Sequence, residues 1–410
     1  MDPRLCALCR GRGLCGLSYC PIIARAAARA RLEPVSKSRI IGGPSPPSVF
    51  VGRYGYPLVR IGPSVPPVEG DTTLFDLPEA WSNRKIEEVL SFRLSMITGE
   101  KTMSVKSVSD RFVEEVRLLA LSSKPTDVEM ILKKPPMPSL RLSELEPPQG
   151  PRSQLIQMKL VGNPSIERPV EKVYEDTDMR ALEAIAYLYA SNIPVSRIQR
   201  ILSVGGVGLK RQRKIVPTRW SITAVDSSLS RLLLKEVKGY ETLDEILIYL
   251  KRGYGNLFAA ILLPEAWSYE WMEAWWPGST WNPGSSEVVI EGDSEGFGGR
   301  KTYPEIGGCY YASMLATLEH LRSMKRQATA VLLREIYPSF DLPIGVWFVR
   351  EMVRSMFREG AKFKVSKIGE VLEVLDRETE LGGKVWFSRS RLLKEVYRRR
   401  KIDEFFERGI

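Results

Sequence analysis

Histidine occurs once in 410 residues, at His320, and the amide side chains are scarce, with six Gln and five Asn. A single histidine excludes a histidine-based metal site and argues against a Ser-His-Asp triad; within its apolar helical context it reads as a packed residue. Few amides beside abundant Arg and Glu is the bias expected of a thermophile. The longest apolar run, around Leu257 to Pro264, falls far short of the roughly 20 residues of a membrane helix. No charged-then-apolar segment opens the sequence, so the expectation is a cytoplasmic protein with no membrane contact. Gly205-Gly206-Val207-Gly208 ahead of Lys210 and Arg211 lacks the order of a P-loop and of a dinucleotide fingerprint, and reads as a basic turn.

What is present is a chain with 43% hydrophobic and 9% aromatic residues, enough to bury one large core or two medium ones. Proline marks the joints: Pro44 to Pro67 reads as irregular connection, and Lys133 to Arg152 as an extended linker or surface excursion. Helical spacing appears in Glu79 to Phe92, Asp110 to Ser122, Asp176 to Ala190 and Tyr310 to Arg326. Met158 to Val161, Ser221 to Val225 and Leu257 to Leu263 read as strands, and Gly345 to Phe357 as strand or helix. The alternation predicts a mixed α/β or α+β fold. Trp267, Trp271 and Trp275 recur every fourth residue, which predicts one helical face, either packed or offering rings for bases to stack on.

The net charge of +11 is unevenly spread. Met1 to Pro67 carries ten Lys or Arg against Asp2 and Glu33, and Ala184 to Val225 carries seven bases and no acid. Such stretches can neutralise phosphates and release counterions. Arg10, Arg12, Lys210, Arg211, Arg213, Lys214 and Arg219 are therefore the candidate nucleic-acid contacts. The alternative is a solvated face, or bases paired with acids elsewhere in the fold.

Cys6, Cys9, Cys15 and Cys20 follow C-x2-C-x5-C-x4-C, with Gly11, Gly13 and Gly16 available for tight turns, a pattern that suits structural zinc. An iron–sulfur cluster takes the same donors. Cys309 reads as packed. At the other end, Arg399-x2-Ile402-x2-Phe405-Phe406 puts an aliphatic and two aromatic residues on one side of a helical turn. This is the spacing of a peptide that docks on the sliding clamp, PCNA, with Arg399 where glutamine usually stands. The competing reading packs the same three residues on the protein's own core.

Carboxylates are the remaining candidates for chemistry. Asp226 would end a strand, and Asp293 and Glu295 lie in the glycine-rich segment Glu291 to Arg300. If these converge with Glu305 they would hold Mg²⁺ or Mn²⁺ for phosphodiester hydrolysis. Otherwise Asp226 caps a helix and the loop acids pair with Arg300 and Lys301.

The cysteine segment through Pro21, Val51-Gly52-Arg53-Tyr54-Gly55-Tyr56-Pro57, Val216 to Asp226, Gly292 to Tyr311, Arg334 to Pro338 and Gly345 to Glu351 together resemble the Nre family of archaeal DNA repair proteins, over almost the whole chain. The resemblance implies a role in DNA damage repair, a four-cysteine DNA-binding zinc finger, and clamp recruitment by the C-terminal peptide. It also implies a large N-terminal and a smaller C-terminal part meeting near Glu291. The expected organisation is a cysteine module at 1–22, a large domain at 23–290, a smaller one at 291–396 and a clamp-binding tail at 397–410. The leading expectation is a clamp-tethered repair factor that binds damaged or branched DNA through its basic segments, with metal-dependent nuclease activity left open. A non-catalytic DNA and clamp adaptor, and an RNA-processing protein, are the alternatives.

Overall fold

The computed structural model describes residues 3–16, 20, 22–23 and 36–407, with side chains described from residue 4 to residue 399 within those ranges. Contacts divide the chain into two compact units, one of residues 25–229 and 343–348, the other of residues 1–24, 230–342 and 349–410. Each is built on a six-stranded sheet, so the mixed α/β class is observed.

In the first unit the strands are β1 (Ile40–Ser45), β2 (Val49–Val51), β3 (Leu58–Val65), β4 (Ile97–Ser104), β5 (Thr126–Leu132) and β6 (Arg152–Leu160). They lie in the order β1-β5-β6-β4-β3-β2, antiparallel except for the β4/β6 pair. Helix Arg111–Leu121 begins where the Asp110 carboxylate accepts the Phe112 N–H at 2.9 Å. Its apolar face, Val113, Val116, Leu119 and Ala120, packs with Val59, Ile61, Val128 and Met130 of the sheet. This helix matches the expected span.

Two readings of proline-rich sequence need correction. Pro44 to Pro67 is not irregular connection: it contains the end of β1 and all of β2 and β3. Pro44 lies on β1, an edge strand, where a missing N–H leaves no rung unmade. Gly62 of β3 is required by close strand approach, since a Cβ there would fall 1.6 Å from the Gly99 carbonyl oxygen. Lys133 to Arg152 is not a free linker either. It is stitched down by bridges Met137 to Arg152 and Arg141 to Gln149, and Leu140, Leu142 and Leu145 are buried.

The second unit contains β7 (Ile246–Gly253), β8 (Asn256–Leu263), β9 (Ser268–Trp275), β10 (Val289–Glu295), β11 (Thr329–Ile336) and β12 (Phe363–Val365), ordered β10-β9-β11-β8-β7-β12. β8 and β11 are buried on both faces, which explains their unbroken apolar character. On one face Ile261, Met272, Ala274, Val331 and Leu333 meet Val371, Leu375, Trp386, Leu392 and Val396 of the C-terminal helices. On the other, Tyr269 meets helix Cys309–Met324, edge-on to Tyr310 at 5.0 Å and bonded to Ser313 Oγ at 2.7 Å. Trp271 and Trp275 of β9, and Trp267 just before it, are fully buried. A spacing of four serves a strand face as well as a helix face, because it is a multiple of two; these rings are packing, and no base reaches them. Among the described residues, no helix is long and apolar enough to cross a membrane.

His320 stacks on Phe357 with centroids 4.3 Å apart, and its Nε2 lies 2.9 Å from the Tyr249 hydroxyl. Burial holds its pKa at about 4, below the ordinary 6.5. The unfolded chain then binds a proton below pH 6.5 that the folded chain refuses, so stability falls as pH drops from 6.5 towards 4, by about 3 kcal/mol at most. Thermal unfolding at pH 7 and pH 5 should show the fall, and His320→Gln should flatten it.

Candidate functional site

Helix Pro3–Cys9 begins the cysteine segment, and a turn follows in which Arg10, Gly11, Gly13 and Gly16 all take positive φ. The backbone N–H groups of Cys15, Gly13 and Leu14 point at the Cys9 sulfur. Burial opposes ionisation of Cys9, yet these donors hold its thiol below the ordinary value. Cys6 is pushed the other way, by burial and then by the neighbouring charges of Cys20, Cys9 and Cys15. None of the four is in a disulfide. Among the described residues, no three His, Cys, Asp or Glu side chains are arranged as a group that could hold a metal ion.

The segment is fixed to the sheet by its arginines. Arg10, 2% exposed, pairs with Glu273 of β9 at 3.1 Å, lies over the Trp275 ring at 4.5 Å and donates to Cys309 Sγ at 3.2 Å. Glu273 also receives Arg334 of β11 at 3.0 Å, its register neighbour across the parallel ladder. Arg12 donates to the Glu305 carbonyl at 2.8 Å, and Arg4 pairs with Glu291 at 3.2 Å. Arg10 is therefore an internal anchor and not a phosphate contact. Its sequence signal was indirect: Glu273 and Arg334 are charges inside otherwise apolar strands, and such charges need partners.

Much of the acid-free basic stretch is internal as well. Arg197 pairs with Glu167 at 2.7 Å, and Arg200 lies 3.5 Å from Asp76, which Arg93 also holds at 2.7 Å. Arg213 donates to the carbonyls of Gly208, Tyr174, Val173 and Asp176, and Arg219 is buried 3.7 Å from Glu144. Lys210, Arg211 and Lys214 remain exposed.

Asp226 does not end a strand. It lies 1% exposed within helix Thr218–Val237, accepting from Gln199 Nε2 at 2.9 Å. Ser221 to Val225 forms helix because its apolar pattern continues at helical spacing through the buried Ile222, Val225, Leu229, Leu233 and Val237. Asp293 accepts Arg300 and the Glu305 backbone N–H, both at 2.8 Å, so it shapes the glycine-rich loop. Glu295 is buried, receives the Tyr310 hydroxyl at 3.1 Å, and is pushed up in pKa by desolvation. The Glu305 side chain points to solvent. Within this unit the three carboxylates are thus committed to separate partners or surroundings.

The C-terminal helix, Arg391–Glu407, runs through the tail motif. Glu270 of β9 accepts the Arg391 and Leu392 N–H groups at 2.8 and 3.3 Å, at the helix start, and Leu392, Leu393 and Val396 enter the core. Arg399 pairs with Glu265 at 3.4 Å. The side chains of Ile402, Phe405 and Phe406 lie outside the described residues.

These features fall within a known class of chain. Residues 14–282 match the family Archaeal Nre, N-terminal, and residues 295–405 match Archaeal Nre, C-terminal, so the chain belongs to the archaeal Nre family. It is 47% identical over 401 residues to DNA repair protein NreB of Archaeoglobus fulgidus, covering 98% of this chain and 99% of that one. It is 38% identical to DNA repair protein NreA of the same organism, covering 86% and 88%, and 37% identical to DNA repair protein NreA of Haloferax volcanii, covering 83% of each. No solved structure matches the chain significantly.

Arg10→Ala would leave Glu273 with only one of its two arginines in a water-free site. It is expected to cost about 3–5 kcal/mol in denaturant unfolding, with Arg10→Lys recovering only part because an ammonium lacks the planar fork.

Proposed function

We propose that this chain is a DNA repair factor that binds DNA, carries structural zinc on its four N-terminal cysteines, and docks on the sliding clamp through its C-terminal helix, acting as an adaptor and not as a nuclease. The observation that carries the repair role is kinship along 98% of the chain to a protein named for DNA repair. The adaptor reading is favoured over hydrolysis because Asp293 is engaged by Arg300 and the Glu305 backbone while Glu295 is covered by Tyr310. Mg²⁺ or Mn²⁺ chemistry needs carboxylate oxygens open to the ion.

Zinc is supported by the donor set: four free cysteines close together in the sequence around a glycine turn, with backbone N–H groups donating to the Cys9 sulfur. Such a site, with every position filled by protein, would brace the segment and leave no open coordination for reaction. Clamp docking is supported by helical backbone through Ile402, Phe405 and Phe406, which sets them at i, i+3 and i+4. Arg399 would have to leave Glu265 if a clamp engaged that position. DNA contact is supported by the exposed Lys210, Arg211 and Lys214.

Metal analysis of the purified protein should find about one zinc per chain and no iron, and Cys6→Ser with Cys15→Ser should lose it; iron with visible absorption would replace zinc by a cluster.

The functional test is binding and cleavage of labelled single-stranded, duplex and flapped DNA, with and without the clamp and with Mg²⁺ or Mn²⁺. Expected is binding without cutting. Lys210→Ala, Arg211→Ala and Lys214→Ala together should weaken binding and lower the salt slope by up to about three. Phe405→Ala with Phe406→Ala should abolish clamp association while sparing DNA. Cutting that Asp293→Ala or Glu295→Ala removes would restore the nuclease.

A further inference from the structure

Three aromatic rings on the surface of the first unit, Tyr54, Tyr56 and Trp220, stand 67%, 50% and 44% exposed. The turn between β2 and β3 carries the two tyrosines, with Gly55 at φ 88° making the bend. Val51 N–H donates to Thr218 Oγ1 at 2.9 Å, which fixes the hairpin against the start of helix Thr218–Val237 and brings Trp220 to 5.0 Å from Tyr56, tilted 55°. The Pro57 carbonyl accepts Val105 N–H, and the Val105 carbonyl accepts Ile215 N–H. Exposed Lys214 immediately precedes Ile215 in the chain.

One guanidinium lies on these rings, and three more gather on a nearby carboxylate of the same sheet. Arg53 lies over Tyr54 at 4.8 Å and donates to its hydroxyl at 3.1 Å. Arg60, Arg141 and Arg152 converge on the buried Glu100 at 3.6, 3.6 and 3.4 Å, and Arg141 feels the charge of Glu146 as well. Four arginines against two carboxylates leave the surface positive, and a single buried glutamate holds three of them in place.

We propose that this patch binds single-stranded DNA, the bases stacking on Tyr54, Tyr56 and Trp220 and the phosphates meeting the arginines. Fixed, water-exposed rings interleaved with cations are what a base-stacking surface needs, and it is indifferent to sequence because every base has a π face. A duplex keeps its base faces covered and cannot use the rings. A protein partner would call for a continuous apolar face, whereas Leu58 is the exposed aliphatic neighbour on β3. The assignment rests on the DNA-binding reading above and names the form of DNA and the residues that hold it.

The test is anisotropy titration of the full chain with a labelled oligo-dT, the matching duplex and the matching RNA, together with quenching of an oligonucleotide carrying 2-aminopurine. The intact protein should bind the single strand and quench the base. Tyr54→Ala, Tyr56→Ala and Trp220→Ala together should weaken single-strand binding at least about a hundred-fold and abolish quenching, while duplex binding changes less than about two-fold. Tyr56→Phe with Trp220→Phe keeps the rings and should keep binding, which separates stacking from misfolding; Phe297→Ala, an exposed aromatic of the other unit, should have no effect. A folded triple variant that binds the single strand as well as the parent, or that loses both DNA forms equally, overturns the assignment. Tighter binding of RNA than of DNA, lost in the same variant, overturns it in favour of RNA. Absence of binding to any DNA by the intact protein overturns the proposed function along with it.

Discussion

Two buried carboxylates of β9 organise the second unit and reach both of its candidate binding elements. Glu273, on the aromatic face of the strand, is held by Arg10 and Arg334, and so fixes the cysteine segment. Glu270, three residues earlier and on the opposite face, receives the first N–H groups of helix Arg391–Glu407 and so fixes the tail helix. Neither interaction need stabilise the unit much, because removing two charges from water costs nearly what their attraction returns. What each supplies is placement. A buried carboxylate left without its donors costs several kcal/mol, so the alternatives in which the segment or the helix sits elsewhere are raised steeply. Glu335 on β11 does the same for the C-terminal helices, accepting the backbone N–H groups of Glu380 and Leu381 at 3.0 Å each.

The chemistry of arginine explains why a count of bases along the sequence overstates the positive charge left at the surface. A guanidinium presents five donors in a plane and can satisfy several carbonyls at once, so it serves inside a fold where an ammonium does not. Arg213 gathers four carbonyls, Arg200 and Arg93 share Asp76, and Arg10 joins a carboxylate, a thiol and a ring. Lys210 and Lys214 of the same stretch stay in water, as does Arg211. Counting bases along the sequence weighs both kinds equally; the fold does not.

Length separated what the sequence disclosed from what it hid. Helices Arg111–Leu121 and Cys309–Met324 and strand β8 were legible because each has a period or apolar run long enough to be distinctive. Ser221 to Val225 was misread because five apolar-rich residues fit either element, and only the full window to Val237 shows the helical spacing. Proline and glycine between Pro44 and Pro67 signalled loop, yet an edge strand accepts the first and a close strand crossing demands the second. The cysteine cluster was legible as four residues, but its attachment was not, since Arg10 meets Glu273 across more than 260 residues of chain. The exposed aromatic patch was likewise invisible as a patch: Tyr56 and Trp220 come together only because Val51 is bonded to Thr218.

The way the tail is carried limits how a clamp would be used. Glu270 and the buried Leu392, Leu393 and Val396 root the helix in the sheet, and the same helix continues without a break to Glu407. A docking peptide on a flexible linker searches a wide volume at low effective concentration, whereas one on a rooted helix of ~1.5 Å rise per residue offers a fixed direction and a short reach. With the proposed docking side chains only about one to two turns beyond Arg399, a clamp held there would lie close to this unit. The sheet that orients the helix would then orient this unit on clamp-encircled DNA, and the cost of alignment would be met during folding instead of at each encounter.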